Sequence, residues 1–145
     1  MRCLVGVLLA AGVSANAWSI DLPLTATSGG ALYIGASQSD SSGFLVDTGS
    51  SYVVVTAAMF KEIRESTQVT YLRHIRGAFA DGRQAGVPIY RVKRLLVSPE
   101  CELADVEVAM IMGASRNILG MSGLARLQPF TVAIQPPILT TRGCQ

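Results

Sequence analysis

"SSGFLVDTGSSYVVVT", residues 41–56, decides how this chain is read. Two apolar runs, Phe44-Leu45-Val46 and Tyr52-Val53-Val54-Val55, have the β-branched and aromatic content of buried strands. Between them stand Asp47 and a tight Thr48-Gly49-Ser50 turn. Burial disfavours an ionised carboxylate, so Asp47 needs hydrogen-bond donors or a second carboxylate with which to share a proton. Thr48, Gly49 and Ser50 supply backbone N–H groups and hydroxyls close by. Taken alone, the stretch is either an Asp-turn capping its own backbone or the seat of a reactive carboxylate.

The surrounding sequence predicts a mostly β domain. Val, Ile, Thr and Tyr are frequent, apolar runs are short, and Gly and Pro punctuate them. Strands are expected over 20–25, 31–36, 43–46, 52–56, 70–80, 83–97, 105–112 and 130–134. Thr56 can cap a short helix over 57–65, and a second helix is expected over 122–127, ended by Pro129. Asp81-Gly82 reads as a two-residue hairpin turn, because the primed turn types need positive φ and Asp-Gly adopts it at little cost. That hairpin is either a mobile cover or a plain surface feature.

Residues 1–17 read as an export signal: one Arg, an apolar run over 4–13, and Ala15-Asn16-Ala17 as a small-x-small cleavage site. The apolar run is shorter than the roughly 20 residues that span a bilayer, so no integral span is expected after cleavage. Residues 18–145 then form one domain, exported and expected in the periplasm; retention by an uncleaved signal is the alternative. Twelve Lys and Arg against 10 Asp and Glu leave little net charge, and nothing favours nucleic acid. Arg91, Lys93 and Arg94 are the one local cluster and read as a solvated strand face. Outside the signal, Cys101 and Cys144 are an even pair in a chain bound for an oxidising compartment; they form a disulfide or remain two buried thiols. With His74 the single histidine and no Cys-x-x-C, no metal ligand set and no cofactor is expected.

A wider pattern favours the reactive carboxylate. Apolar residues, then Asp-Thr-Gly-Ser-Ser, then a β-branched strand resemble the active-site loop of aspartic proteases, and "RNILGMSGLARLQPF", residues 116–130, resembles the apolar-apolar-Gly element of the same clan. The hairpin between them lies where that family carries its flap, so the resemblance, to exported bacterial retropepsin-like aspartic proteases, covers roughly residues 30–135. It implies a single-lobe closed β-barrel or sandwich. It also implies a catalytic Asp47, loop support from Thr48, Gly49 and Ser50, and a hydrogen bond from Ser50 at the outer carboxylate oxygen. Ala78, Phe79, Ala80, Asp81 and Gly82 would form the flap, and Ile118, Leu119 and Gly120 would pack behind the loop. Gly123 departs from the usual large residue at its position, and Pro136-Pro137 interrupt the tail where viral relatives interdigitate terminal strands.

Only one Asp-Thr-Gly is present, so the resemblance implies a homodimer acting on extended polypeptide. Two other readings remain. One is a serine hydrolase using Ser50 or Ser122 with His74, although "GMSGL" misses the Gly-x-Ser-x-Gly pattern. The other is a non-catalytic exported peptide-binding module on the same fold.

Overall fold

A computed structural model describes residues 18–36 and 43–144; the export signal expected over 1–17 lies outside the described residues. Among the described residues there are ten strands: β1 (Ile20–Ala26), β2 (Leu32–Ile34), β3 (Phe44–Val46), β4 (Val53–Val55), β5 (Val69–Ala78), β6 (Gln84–Ser98), β7 (Cys101–Met110), β8 (Asn117–Leu119), β9 (Phe130–Ile134) and β10 (Pro137–Thr141). Helix α1 (Ala57–Ser66) follows β4, and a short α2 (Met121–Leu124) runs into a 3-10 turn over Ala125–Leu127. No helix among the described residues is long and apolar enough to cross a membrane.

The strands join in the order β5-β6-β7-β4-β8-β3-β2-β1-β10-β9. The all-β expectation holds, but the closed barrel does not. Among the described residues β5 and β9, the two end strands, are not paired with one another, so the sheet keeps two edges. It bends over a main core instead, with a smaller cluster of Val54, Val87, Ile89 and Ala109 beside it. Leu22 of β1 and Leu139 of β10, from one side, share a buried cluster with Val92 and Leu95 of β6 and Leu103 of β7 from the other. Each such fully buried side chain contributes about 1.5–3 kcal/mol. β1 makes the bend possible by dividing its partners: Ile20–Pro23 pair with β10 and Leu24–Ala26 with β2.

Thr56 caps α1 by accepting from the Met59 N–H at 3.2 Å, and Phe60 and Ile63 turn the helix's apolar side inward. The tail differs from expectation. Pro137 is the first residue of β10, where a missing N–H does least harm, and the strand lies between β1 and β9. Cys144, just beyond it, is disulfide-bonded to Cys101 at the start of β7. Arg91, Lys93 and Arg94 are exposed on β6 and pair with Glu107, Asp105 and Glu102 of β7, a solvated ladder of charges.

Candidate active site

Strand β3 delivers Asp47, and the return strand β4 begins at Val53, yet these two strands are not neighbours in the sheet. β8 lies between them, parallel to β3 (Leu45 beside Ile118, Val46 beside Leu119) and antiparallel to β4 (Val54 beside Ile118). The Asp47 loop is thereby pinned from below. Asp47 N–H donates to the Leu119 carbonyl at 3.2 Å, Met121 N–H to the Ser50 carbonyl at 2.8 Å, and Ser122 N–H to the Ser51 carbonyl at 3.1 Å. Such close approach demands Gly120: a Cβ there would sit 2.2 Å from the Tyr52 carbonyl oxygen and 2.6 Å from that of Ser50.

Within the loop, Gly49 N–H donates to Asp47 Oδ1 at 2.8 Å, and Ser50 N–H to the Asp47 carbonyl at 3.4 Å. Asp47 is partly exposed, with Thr48 and Gly49 on the open side. The Ser50 hydroxyl differs from the expected carboxylate contact, since it donates to the Tyr52 carbonyl at 2.9 Å and braces the loop backbone instead.

Two supports escaped the sequence reading. Asn117, buried at the start of β8, accepts the Thr56 N–H on Oδ1 at 3.0 Å and so ties β8 to the end of β4. The Ser122 hydroxyl accepts the Val53 N–H at 2.8 Å and donates to the Glu107 carbonyl at 2.7 Å. Ser50 and Ser122 thus spend their hydroxyls on main-chain carbonyls, and His74 Nδ1 meets the Tyr71 hydroxyl at 2.7 Å; no nucleophile-base pair is formed. Gly123 also has a packing reason. A Cβ at that position would lie 2.5 Å from Leu119 Cδ1 and 2.6 Å from Val53 Cγ2, so α2 presses on the loop's supports only because the residue is small.

β5 and β6 form the hairpin whose tip holds Phe79–Gly82. Its turn is wider than the two-residue form expected. Phe79 N–H donates to the Arg83 carbonyl and Gly82 N–H to the Phe79 carbonyl, both at 2.9 Å, leaving Ala80, Asp81 and Gly82 in the loop. Of these only Gly82 has positive φ, +81°, as in a type I turn closed by a left-handed glycine. Asp81 accepts from the Arg83 side chain and backbone, which holds its carboxyl below the usual range. Arg83 also lies over the Phe79 ring, 5.8 Å from its centroid.

Under this hairpin lies a cleft of about 610 Å³. Val54 and Ile118 form its floor, Phe79 and Val87 its hairpin wall, and Ile111 and Ala114 the far wall. Its size and apolar character suit side chains of an extended ligand. Asp47 does not line the cleft itself; Ile118 connects the two, being paired with Leu45, two residues before Asp47.

An aspartate loop pinned by a late-arriving strand, with an apolar cleft under a hairpin beside it, defines the single-lobed aspartic-protease class. The sequence family described as gag-polyprotein putative aspartyl protease matches residues 38–126, more than half the chain, and the chain belongs to that family. Among solved structures, a retropepsin-like aspartic protease from Rickettsia conorii is similar in fold: TM-score 0.52, 17% identity, covering 86% of this chain and 90% of that one. No curated protein sequence matches.

Proposed function

We propose that the protein is an exported aspartic endopeptidase that works as a homodimer. The observation that carries this reading is the Asp47 loop itself: one carboxylate per chain, partly exposed and held from behind by β8. With Asp47 of the partner subunit a few Å away across a two-fold axis, both groups cannot ionise and they share one proton. The ionised member takes a proton from water, whose oxygen attacks the scissile carbonyl carbon. The protonated member gives its hydrogen to the carbonyl oxygen. Collapse of the tetrahedral intermediate breaks the C–N bond, returns a proton to the leaving amine, and restores the shared proton.

Thr48, on the open side of the loop, reaches across to the partner's loop, and Gly49 leaves its main chain open to substrate backbone. The substrate lies extended between hairpin and floor, its side chains entering the cleft and its main chain adding a strand. Phe79 at the hairpin tip closes over it. Residues 1–17 direct the chain to the periplasm; the disulfide between Cys101 and Cys144 supports an oxidising destination.

The test is cleavage of a peptide library by residues 18–145 from pH 3 to 8, beside the Asp47→Asn variant. Cleavage by the wild type alone, rising faster than linearly with protein concentration, supports the dimeric enzyme. A folded monomer that cleaves nothing overturns it and leaves the peptide-binding module.

A further inference from the structure

The hairpin that covers the cleft has few backbone hydrogen bonds to the body. β6 pairs with β7 from Ser98 as far as Ile89, opposite Ala109; beyond that point Gln84–Pro88 pair with β5 alone. Residues 74–88 are therefore hydrogen-bonded as a two-stranded ribbon, an arrangement marginal by itself in water, and the ribbon otherwise rests on the body through side chains such as Ile75, Phe79 and Val87. At the root of the ribbon the β5–β6 register shifts between Tyr71 and Arg73, which sets Leu72 out of the ladder, and Pro88, opposite His74, has no N–H to give.

Side chains gather at that root. The Glu107 carboxylate of β7 receives Arg73 of β5 through two contacts, Nη2 to Oε2 at 2.6 Å and Nη1 to Oε1 at 3.3 Å. It also receives Arg91 of β6 at 3.5 Å. Arg73 Nη2 reaches further, donating to the Tyr52 hydroxyl at 3.2 Å. Tyr52 is part of the floor, because its carbonyl accepts the Ser50 hydroxyl and lies against Gly120. Glu107 is tied to the same floor, its carbonyl accepting from Ser122. Both ends of the Arg73 linkage thus finish on groups that hold the Asp47 loop.

We propose that Arg73, oriented by Glu107, is a positioning residue that fixes the angle of the covering hairpin relative to the Asp47 loop through the Tyr52 hydroxyl. A planar guanidinium suits this task, since one rigid fork serves two partners at once, which a lysine ammonium does not reproduce. Exposed ion pairs add little to global stability, so the linkage acts on the orientation of the ribbon rather than on whether the domain folds. The kinetic part rests on the protease reading above; the structural part does not.

The test uses Tyr52→Phe, Arg73→Gln, their double variant and Arg73→Lys, each compared by amide hydrogen exchange and by peptide hydrolysis. Exchange across residues 75–87 should quicken several-fold in each single variant while amides of β7 and β8 keep their wild-type rates. The double variant should be no faster than Arg73→Gln alone, as expected of two residues in one linkage. KM should rise several-fold with kcat changed less than twofold, and Arg73→Lys should not restore it. Unchanged exchange in the single variants, or additive effects in the double, overturns the proposal. If exchange quickens while KM stays at the wild-type value, the link to substrate handling is overturned. Exchange is read equally well on the Asp47→Asn protein, so absence of turnover tells against the protease reading and leaves this test intact.

Discussion

The floor under Asp47 and the ribbon over the cleft are built from similar residues by opposite means. In the floor, three short strands interleave, with a backbone bond from Asp47 to Leu119, two more from Met121 and Ser122 back to the loop, and side-chain oxygens of Asn117 and Ser122 taking further N–H groups. In the ribbon, two long strands are hydrogen-bonded chiefly to each other, join the body's sheet at one bulged root, and otherwise rest on it through apolar side chains such as Ile75, Phe79 and Val87. Non-local backbone bonding braces the floor, whereas the ribbon beyond its root is held by side-chain packing alone. A protease that must hold a carboxylate still while admitting a polypeptide needs both.

Four changes would break or sharpen this contrast. The largest effect is on catalysis: Asp47→Asn, on the floor, should lower kcat by about 10²–10⁴-fold or more while the thermal melt stays close to wild type, measured by peptide hydrolysis and calorimetry. Next, Cys101→Ser with Cys144→Ser releases a bridge spanning 43 residues of sequence and should cost about 4 kcal/mol in urea unfolding, loosening the β10 end of the body before the ribbon.

The third compares two glycines directly. Gly120→Ala, whose Cβ meets two carbonyl oxygens, should cost about 1–3 kcal/mol or more and displace the Asp47 loop, whereas Gly82→Ala at the ribbon tip meets nothing within 4 Å and bears only the positive-φ penalty of about 1–2 kcal/mol. Equal losses in urea melts would mean that the floor is softer than its bonding suggests.

The smallest is a pH effect at the root. Hydrogen bonding to Arg73 holds the Glu107 carboxyl below the usual carboxylate range, with Arg91 adding to it. A depressed folded pKa contributes stability that is complete above the ordinary carboxylate pKa and lost as pH falls through the folded value. Ribbon exchange, corrected for its intrinsic pH dependence, should therefore quicken below about pH 4, and Glu107→Gln should remove the part that arises at the root while leaving the contribution of Asp81 at the tip.

How much of this was legible in the sequence follows the same divide. The ribbon, helix α1 and the strands flanking Asp47 were readable because each is specified by neighbours: an Asp-Gly turn, a Thr cap, a β-branched run. The exact turn was not, because Asp-Gly also serves a three-residue loop in which only the glycine takes positive φ. Asn117-Ile118-Leu119 is too short to carry a period, and nothing local shows that it inserts between β3 and β4. β10 was missed because its prolines argued against a strand, although one of them only begins it. Tyr52, Arg73 and Glu107 are far apart in the chain, and nothing local shows that they meet until the sheet aligns them.

The insertion of β8 also matters for how the protein is made. Asp47 emerges early in synthesis, but the groups that seat its loop, from Asn117 to Ser122, arrive only when most of the chain has followed. Contacts of such sequence separation form late in folding. A nascent or truncated chain ending before residue 117 would display Asp-Thr-Gly-Ser-Ser intact and still lack the seat for its carboxylate.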